Sequence, residues 1–196
     1  MGCMSNPTNP LSETQWAAID KRILRADEDR WISSRYAGAS ERRALIALYA
    51  LAYELARVRL VVTEEGLGLI RFQWWRDAVS EIEAGKVREH DVAKALKEEI
   101  DAGRLKPGAL HKLIDGYQGA FEAEDRSLEP EAWLALTAAN VLTPIHDWAE
   151  EIRDVAPYFS AARRSDSKAF GPILTPAPKP IRPAIAHFRL RKFYIE

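Results

Sequence analysis

Apolar residues recur along the chain at the three- and four-residue spacing of amphipathic helices, and no run alternates with a period of two. This pattern predicts an all-α protein. Ser12 and Gln15 have the spacing of a capping box, which predicts that the first helix begins there. The apolar stripe of that helix is formed by Trp16, Ile19, Ile23 and Leu24.

A second, longer helix is predicted from residue 41 to about residue 63, with Ser40 as its N-cap. Between residues 44 and 56 it is apolar on almost every side, so we expect other helices to surround it. Gly66 and Gly68 are predicted to break the chain after this helix. The further predicted helices span residues 69–84 with Gly85 as C-cap, 91–102, 109–124, from 129–131 to a break at Pro144, and 147–155.

Length and composition predict a single domain, because 196 residues with 47% hydrophobic and 29% charged side chains are typical of a globular chain. We predict a disordered N-terminus (residues 1–11), a helical domain (12–160) and a basic, proline-rich arm (161–196) with a short terminal helix. The arm holds eight Lys and Arg against two acids, and the remaining residues carry a net charge of −7. The arm is expected either to lie over the acidic body or to contact an anionic membrane surface or an acidic partner.

Charge and cysteine content exclude several classes of protein. A net charge of −1 gives no general basic field for nucleic acid, and a single cysteine excludes a disulfide scaffold. The longest apolar stretch, residues 44–62, is interrupted by Glu54, Arg57 and Arg59, which argues against a membrane span. Since the first ten residues show no secretory signal, we predict a cytoplasmic protein or one peripheral to a membrane.

Two pairs of carboxylates have the i, i+4 spacing that lets side chains on one helix share a divalent cation. They are Asp77 with Glu81 and Asp147 with Glu151. A Mg²⁺ held there could in turn hold a diphosphate, although acidic stripes are also typical of solvated helix faces. The four histidines lie far apart and lack metal-binding spacing, so these carboxylates are the metal candidates.

The segment from Ile70 to Asp77 has an unusual density of aromatic and charged side chains. On a helix Trp74 and Trp75 point about 100° apart, so one can lie in the core while the other lines a groove. The flanking arginines, Arg71 and Arg76, can bind carboxylates or phosphates. The alternative interpretation is an aromatic core anchor with a salt-bridged rim.

Residues 48–59 and 68–78 together resemble the squalene/phytoene synthase family, with weaker similarity at residues 27–30 and 113–116. The resemblance covers about residues 20–120 and is most specific at the stretch Arg-Phe-Gln-Trp-Trp-Arg-Asp. It implies the all-α isoprenoid synthase fold, here in a shortened form. Active members of the family condense two prenyl diphosphates head to head and use two Asp-rich helices that bind Mg²⁺.

The chain departs from the family in those Asp-rich motifs. The first reads Tyr-Ala-Phe-Cys-Arg-Arg-x-Asp-x-x-x-Asp, and an ungapped alignment from Tyr49 places Ala56 and Leu60 at the two aspartates. Neither side chain can coordinate a cation. The nearest match to the second motif, around Asp147 and Glu151, needs a gap. We therefore expect no cofactor, and Mg²⁺ only if the chain is an active synthase.

The motif Glu-Leu-Ala-x-Val-Arg at residues 54–59 is more similar to a non-catalytic branch of the family that includes a mitochondrial complex I assembly factor. The resulting hypothesis is a scaffold without catalytic residues that binds a lipid or prenyl chain, or a protein partner, and no nucleic acid. The alternatives are an active prenyl diphosphate synthase that uses the four substitute carboxylates, and an unrelated helical interaction module. The candidate ligand-binding residues are Tyr49, Tyr53, Glu54, Arg57, Arg71, Gln73, Trp74, Trp75 and Arg76.

Overall fold

A computed structural model describes residues 10–62, 64–143 and 147–163. Within these residues the chain forms helices and no strand, which confirms the predicted all-α class. The helices are α1 (Glu13–Ala26), α2 (Glu28–Ser34), α3 (Ala39–Val61), α4 (Glu65–Glu83), α5 (Asp91–Asp101), α6 (Pro107–Glu122), a short 3₁₀ turn (Arg126–Leu128), α7 (Glu131–Leu142) and α8 (Ala149–Arg163).

Helix α3 lies at the centre of the bundle, as its apolar pattern predicts. Every residue from 44 to 52 is buried, and α1, α2, α4, α5, α6 and α7 all pack on it. The predicted N-cap is wrong, however, since Gly38 and not Ser40 precedes the first helical residue. The carbonyl of Gly38 accepts the Arg42 N–H at 2.8 Å, which starts the helix two residues earlier. Glycine is also accepted at the N-cap, although serine is the more common residue there, so the local preference alone did not locate the start of the helix.

Helix α4 begins at Glu65, and the predicted break at Gly66 and Gly68 is therefore wrong. Gly68 is instead a packing position, because a Cβ added there would lie 2.3 Å from the ring of Phe121 on α6. The predicted end of the helix is confirmed, since Gly85 follows it with φ +79°, in the left-handed region that favours glycine.

The first helix and its capping box are confirmed, with Ser12 accepting from the Gln15 N–H at 3.3 Å. The short helix α2 was not predicted. Only Asp27 separates it from α1, and the Asp27 side chain accepts the Arg30 N–H at 3.2 Å, which caps α2. The chain thus turns sharply and directs Arg30 into the interior, where it is 9% exposed.

Helix α8 extends beyond its predicted end at residue 155, contains Pro157 and packs on α7. The predicted break at Pro144, the N-terminus from 1 to 9 and the arm from 164 onward lie outside the described residues. Among the helices that are described, none combines the length and the apolar character needed to cross a bilayer.

Candidate functional site

A cavity of about 140 Å³ lies where α2, α3, α6 and α7 converge. Its wall on α3 is made by small side chains and one tyrosine, and its other walls carry charged groups. The lining residues are Ala26, Asp27, Arg30, Ala52, Tyr53, Ala56, Tyr117, Arg126, Glu129 and Glu131. The charged groups of the cavity therefore come from residues around α2 and α7, and none of them comes from the central helix α3.

A buried ion triad, formed by Arg30, Asp27 and Glu131, occupies one side of this cavity. The Arg30 guanidinium lies 2.5 Å from an Asp27 carboxylate oxygen and donates with its other amino group to Glu131 of α7. Burial alone would lower the pKa of Arg30, but the charges of Glu131 and Asp27 raise it well above its ordinary value. The guanidinium is thus a permanent positive charge whose counter-ions are both supplied by the chain.

Aromatic rings enclose the triad. The Arg30 guanidinium carbon lies 5.9 Å from the ring centre of Tyr49 on α3 and 5.4 Å from that of Phe159 on α8. Burial raises the pKa of Tyr49 to about 12, so its phenol is neutral at physiological pH. Because the cation is held between rings from two helices, the triad ties α2, α3, α7 and α8 together.

The residues around the cavity do not fit a Mg²⁺ site. Ala56, aligned with the first family aspartate, lines the cavity, whereas Leu60, aligned with the second, is 77% exposed. The carboxylates of the triad already bind Arg30, and Glu129 pairs with Arg59 at 3.3 Å and with Arg126 at 3.4 Å. A divalent cation would meet a buried guanidinium and an alanine wall there, and neither donates an oxygen ligand.

The candidate metal ligands lie elsewhere. Arg88 binds Glu81 at 2.9 Å and lies 3.6 Å from Asp77, and its hydrogen bonds lower the pKa of Glu81. Asp147 and Glu151 are exposed beside and within the first turn of α8. Throughout the described part of the chain, no three His, Cys, Asp or Glu side chains are grouped so as to hold a metal ion.

The tryptophan segment borders a separate groove of about 200 Å³. Trp75 is 5% exposed and Trp74 half-buried, the division that their separation on the helix predicts. Their rings meet edge to face at 4.9 Å, and the His90 ring packs on both at 5.5 and 5.2 Å. The groove is lined by Glu54, Val58, Arg71, Trp74, Trp75 and His90.

The remaining predicted ligand residues are distributed around the bundle. Tyr53 lines the central cavity, and the Arg57 guanidinium stacks on its ring at 5.6 Å. Gln73 is exposed and donates to Asp77 at 2.7 Å, and Arg76 binds Asp115 of α6 at 2.6 Å. The nine candidates thus divide between the central cavity, the groove beside the tryptophans and other positions, and they do not form one site. Tyr53 lines the cavity, and the groove is lined by Glu54, Arg71, Trp74 and Trp75.

Sequence reasoning missed the residues at the centre of the cavity. Arg30 and Asp27 appeared only within a weakly similar segment, and Glu131 only as part of a predicted helix start. The available signal was Asp27 itself, because aspartate is among the preferred N-cap residues. No local pattern indicated that Glu131, 101 residues further along, would complete the ion triad.

A sequence model of the squalene/phytoene synthase family matches residues 23–143, which is more than half of the chain. The chain therefore belongs to the squalene/phytoene synthase family. Its helical architecture agrees with the all-α fold that the resemblance implies.

Among curated proteins, the chain is similar to "NADH dehydrogenase (ubiquinone) complex I, assembly factor 6" of Homo sapiens, with 30% identity over 93 residues. The proteins of the same name from Bos taurus and Rattus norvegicus are 30% and 31% identical over 93 residues. The match covers 47% of this chain but only 28% of each relative. No solved structure matches the chain.

Proposed function

We propose that this chain is a non-catalytic member of its family that acts as a scaffold of the assembly-factor type. The observation that carries the proposal is the ion triad in the central cavity. The single positive charge there is already held by two carboxylates of the chain, and the adjoining wall of α3 includes Ala52 and Ala56.

The reaction of active family members needs a different arrangement. Ionising a prenyl diphosphate requires that the departing negative charge be neutralised, which in metal-dependent enzymes is done by cations held in preformed carboxylate sites. In this cavity the positive charge of Arg30 is already balanced by Asp27 and Glu131. A volume of about 140 Å³ is also below the ~300–1,000 Å³ of usual small-molecule sites, which favours a scaffold over prenyl-chain binding.

The turn between α3 and α4 offers a surface for a protein partner. Leu60 and Val61 at the end of α3 and Leu67 and Ile70 at the start of α4 are 44–77% exposed. Exposed aliphatic side chains concentrated in one region are typical of interaction sites. Since the curated relatives are named for the assembly of complex I, the partner we propose is a subunit of a NADH dehydrogenase complex.

The alternative of an active synthase would need Asp77, Glu81, Asp147 and Glu151 as Mg²⁺ ligands. Arg88 engages the first two, so a metal would have to displace a guanidinium that makes two hydrogen bonds to Glu81. This pairing weighs against the alternative.

One test of the proposal is enzymatic. The full chain is incubated with farnesyl or geranylgeranyl diphosphate and Mg²⁺, beside an active synthase of the family as a positive control. We expect neither diphosphate release nor a condensed product. Turnover above the no-protein blank that is lost on changing Asp77→Asn would overturn the non-catalytic assignment and support the alternative.

A second test is made in the organism that encodes the chain. Deleting the gene should lower the amount of assembled NADH dehydrogenase complex on native gels, and the wild-type chain should restore it. We expect Leu67→Ser/Ile70→Ser to fail in restoring it, while Tyr36→Ser/Leu128→Ser, which removes two large exposed side chains elsewhere, succeeds. Unchanged complex levels after deletion would refute the assembly role.

A further inference from the structure

A groove of about 430 Å³ opens beside Tyr53, between α1 and α3. Two alanines of α1, Ala18 and Ala26, leave the space, and Lys21, Arg22 and Arg25 from the same helix line it. The groove shares only Ala26 and Tyr53 with the central cavity. Its volume lies within the range of small-molecule sites, unlike that of the cavity.

The positive charges of this groove are only partly balanced. Arg22 lies 2.5 Å from Asp91 and 3.5 Å from Glu54, and Glu54 also lies 3.9 Å from Arg57 at the rim. By contrast, neither Lys21 nor Arg25 has an ion pair to any residue that the structure describes. Four cations thus face two carboxylates, which leaves two positive charges without a counter-ion.

This local excess contrasts with the charge of the molecule. Residues 1–160 carry 20 Lys and Arg against 27 acids, a net charge of −7. Lys21 and Arg25 also stand at i, i+4 on one helix face, a spacing at which like charges destabilise the helix. Both side chains are exposed, so the uncompensated pair of cations beside the groove is accessible and can attract an anion from solution.

Tyr53 adds a hydrogen-bond donor to the groove. Its hydroxyl makes no hydrogen bond to another described residue, and its ring carries the guanidinium of Arg57 at 5.6 Å. A phenol donor beside arginine and lysine suits the oxygen atoms of a phosphate, because guanidinium binds phosphate through paired N–H groups. A phosphate monoester carries close to two negative charges at neutral pH, which matches the two uncompensated cations.

We propose that the groove of Lys21, Arg25 and Tyr53 binds a phosphate monoester, presented either by a small organic phosphate or by a lipid headgroup. The site is independent of the proposed scaffold function, because the three side chains belong neither to the ion triad nor to the α3–α4 surface. Its failure in the test below would leave that function untouched.

The test presents one headgroup in two forms to the full chain. Glycerol 3-phosphate is titrated in a calorimeter, and vesicles of phosphatidic acid in phosphatidylcholine are assayed by co-sedimentation, with pure phosphatidylcholine as the blank. Binding of glycerol 3-phosphate identifies a soluble ligand, and binding to the vesicles alone identifies a lipid headgroup. Either result supports the site if the variants below respond as expected, and binding of neither probe overturns it.

The decisive variant is Lys21→Ala/Arg25→Ala, which should weaken binding by about tenfold or more, since charge-assisted hydrogen bonds are lost. Lys106→Ala/Arg153→Ala removes the same charge from two exposed side chains elsewhere and should bind like wild type. Tyr53→Phe should weaken binding several-fold. Equal weakening by both double variants would overturn the proposal, because it would show that the attraction is non-specific. Binding of a glutamate-rich peptide as tightly as the phosphate probe would overturn it for the same reason.

Protein stability provides a check that does not depend on the ligand. Without ligand, Lys21→Ala/Arg25→Ala should unfold at the same temperature as wild type or slightly higher, because it removes a like-charge pair and breaks no ion pair. Saturating glycerol 3-phosphate or vesicles should raise the unfolding temperature of wild type and leave that of the double variant unchanged. A ligand-induced increase of the same size in both proteins would contradict the site.

Discussion

Changing Arg30 to methionine removes the cation that lies between Asp27 and Glu131 and leaves two buried carboxylates facing each other. The side chains of the triad are only 9–11% exposed, so the two carboxylates would stay largely shielded from solvent without their cation. Removing one partner of a buried ion pair costs about 3–5 kcal/mol. Since a domain of this kind is stable by only about 5–15 kcal/mol, Arg30→Met should lose a large part of its free energy of unfolding.

The assay is urea unfolding followed by tryptophan fluorescence and circular dichroism, with the free energy extrapolated to water. The matched control is Arg76→Met, which breaks an ion pair whose aspartate, Asp115, is 61% exposed. An exposed pair contributes about 0–1 kcal/mol, so this variant should unfold close to wild type. Arg30→Lys retains the charge but not the forked geometry and should lie between the two.

A compensating variant separates charge from shape. Asp27→Asn/Arg30→Met/Glu131→Gln removes all three charges, and the introduced asparagine can still cap α2, so the triple variant should recover most of the stability lost in Arg30→Met. The reasoning is refuted if Arg30→Met costs no more than Arg76→Met. It is refuted equally if the triple variant is as unstable as the single one, since the penalty would then not come from unpaired charge.

Three further outcomes follow from local contacts. Between pH 10 and 12 the unfolded state loses the Tyr49 proton before the folded state does, so the free energy of unfolding should fall by about 2–3 kcal/mol as the pH rises. In urea melts at a series of pH values, Tyr49→Phe should reduce this fall. On α6, Gly116→Ala places a Cβ 2.6 Å from Pro130 and should lower the free energy of unfolding by about 1–3 kcal/mol. Gly119→Ala meets open space and should not destabilise the protein. Thermal melts in which both variants behave alike would contradict the close packing at Gly116. Trp75→Ala should cost about 3–5 kcal/mol in the same melts, and a loss below about 1 kcal/mol would show that its ring is not a core anchor.

Periodicity predicted the bundle well where one helix face or a whole helix is buried. The all-round apolar character of residues 44–56 correctly placed α3 at the centre, because only a helix surrounded by others can bury every side. The errors fell at helix starts. Gly68 looked like a break but permits the close approach of Phe121, a contact between residues 53 positions apart that no local pattern encodes.

The candidate site was less predictable than the fold for the same reason. Arg30 and Glu131 are polar residues at helix starts, where exposed charges are common, and only the tertiary structure makes them a buried pair. The tryptophan segment, in contrast, was identified as a candidate from its density of aromatic and charged side chains. Its arginines prove to be distributed, with Arg76 bound to Asp115 and Arg71 at a separate groove.

The triad also shows how the junction of α2, α3 and α7 is filled with charges that the chain itself supplies. Buried charged groups at a junction of helices need partners, and in this cavity the chain supplies both the cation and the carboxylates. Arg30 contributes from α2, which one residue separates from α1, and Glu131 contributes from the first turn of α7. The positive charge is then fixed by folding and is independent of any ligand. The side chains of Ala52 and Ala56 leave the wall of α3 without charge, so the charges of the cavity come from the residues around α2 and α7.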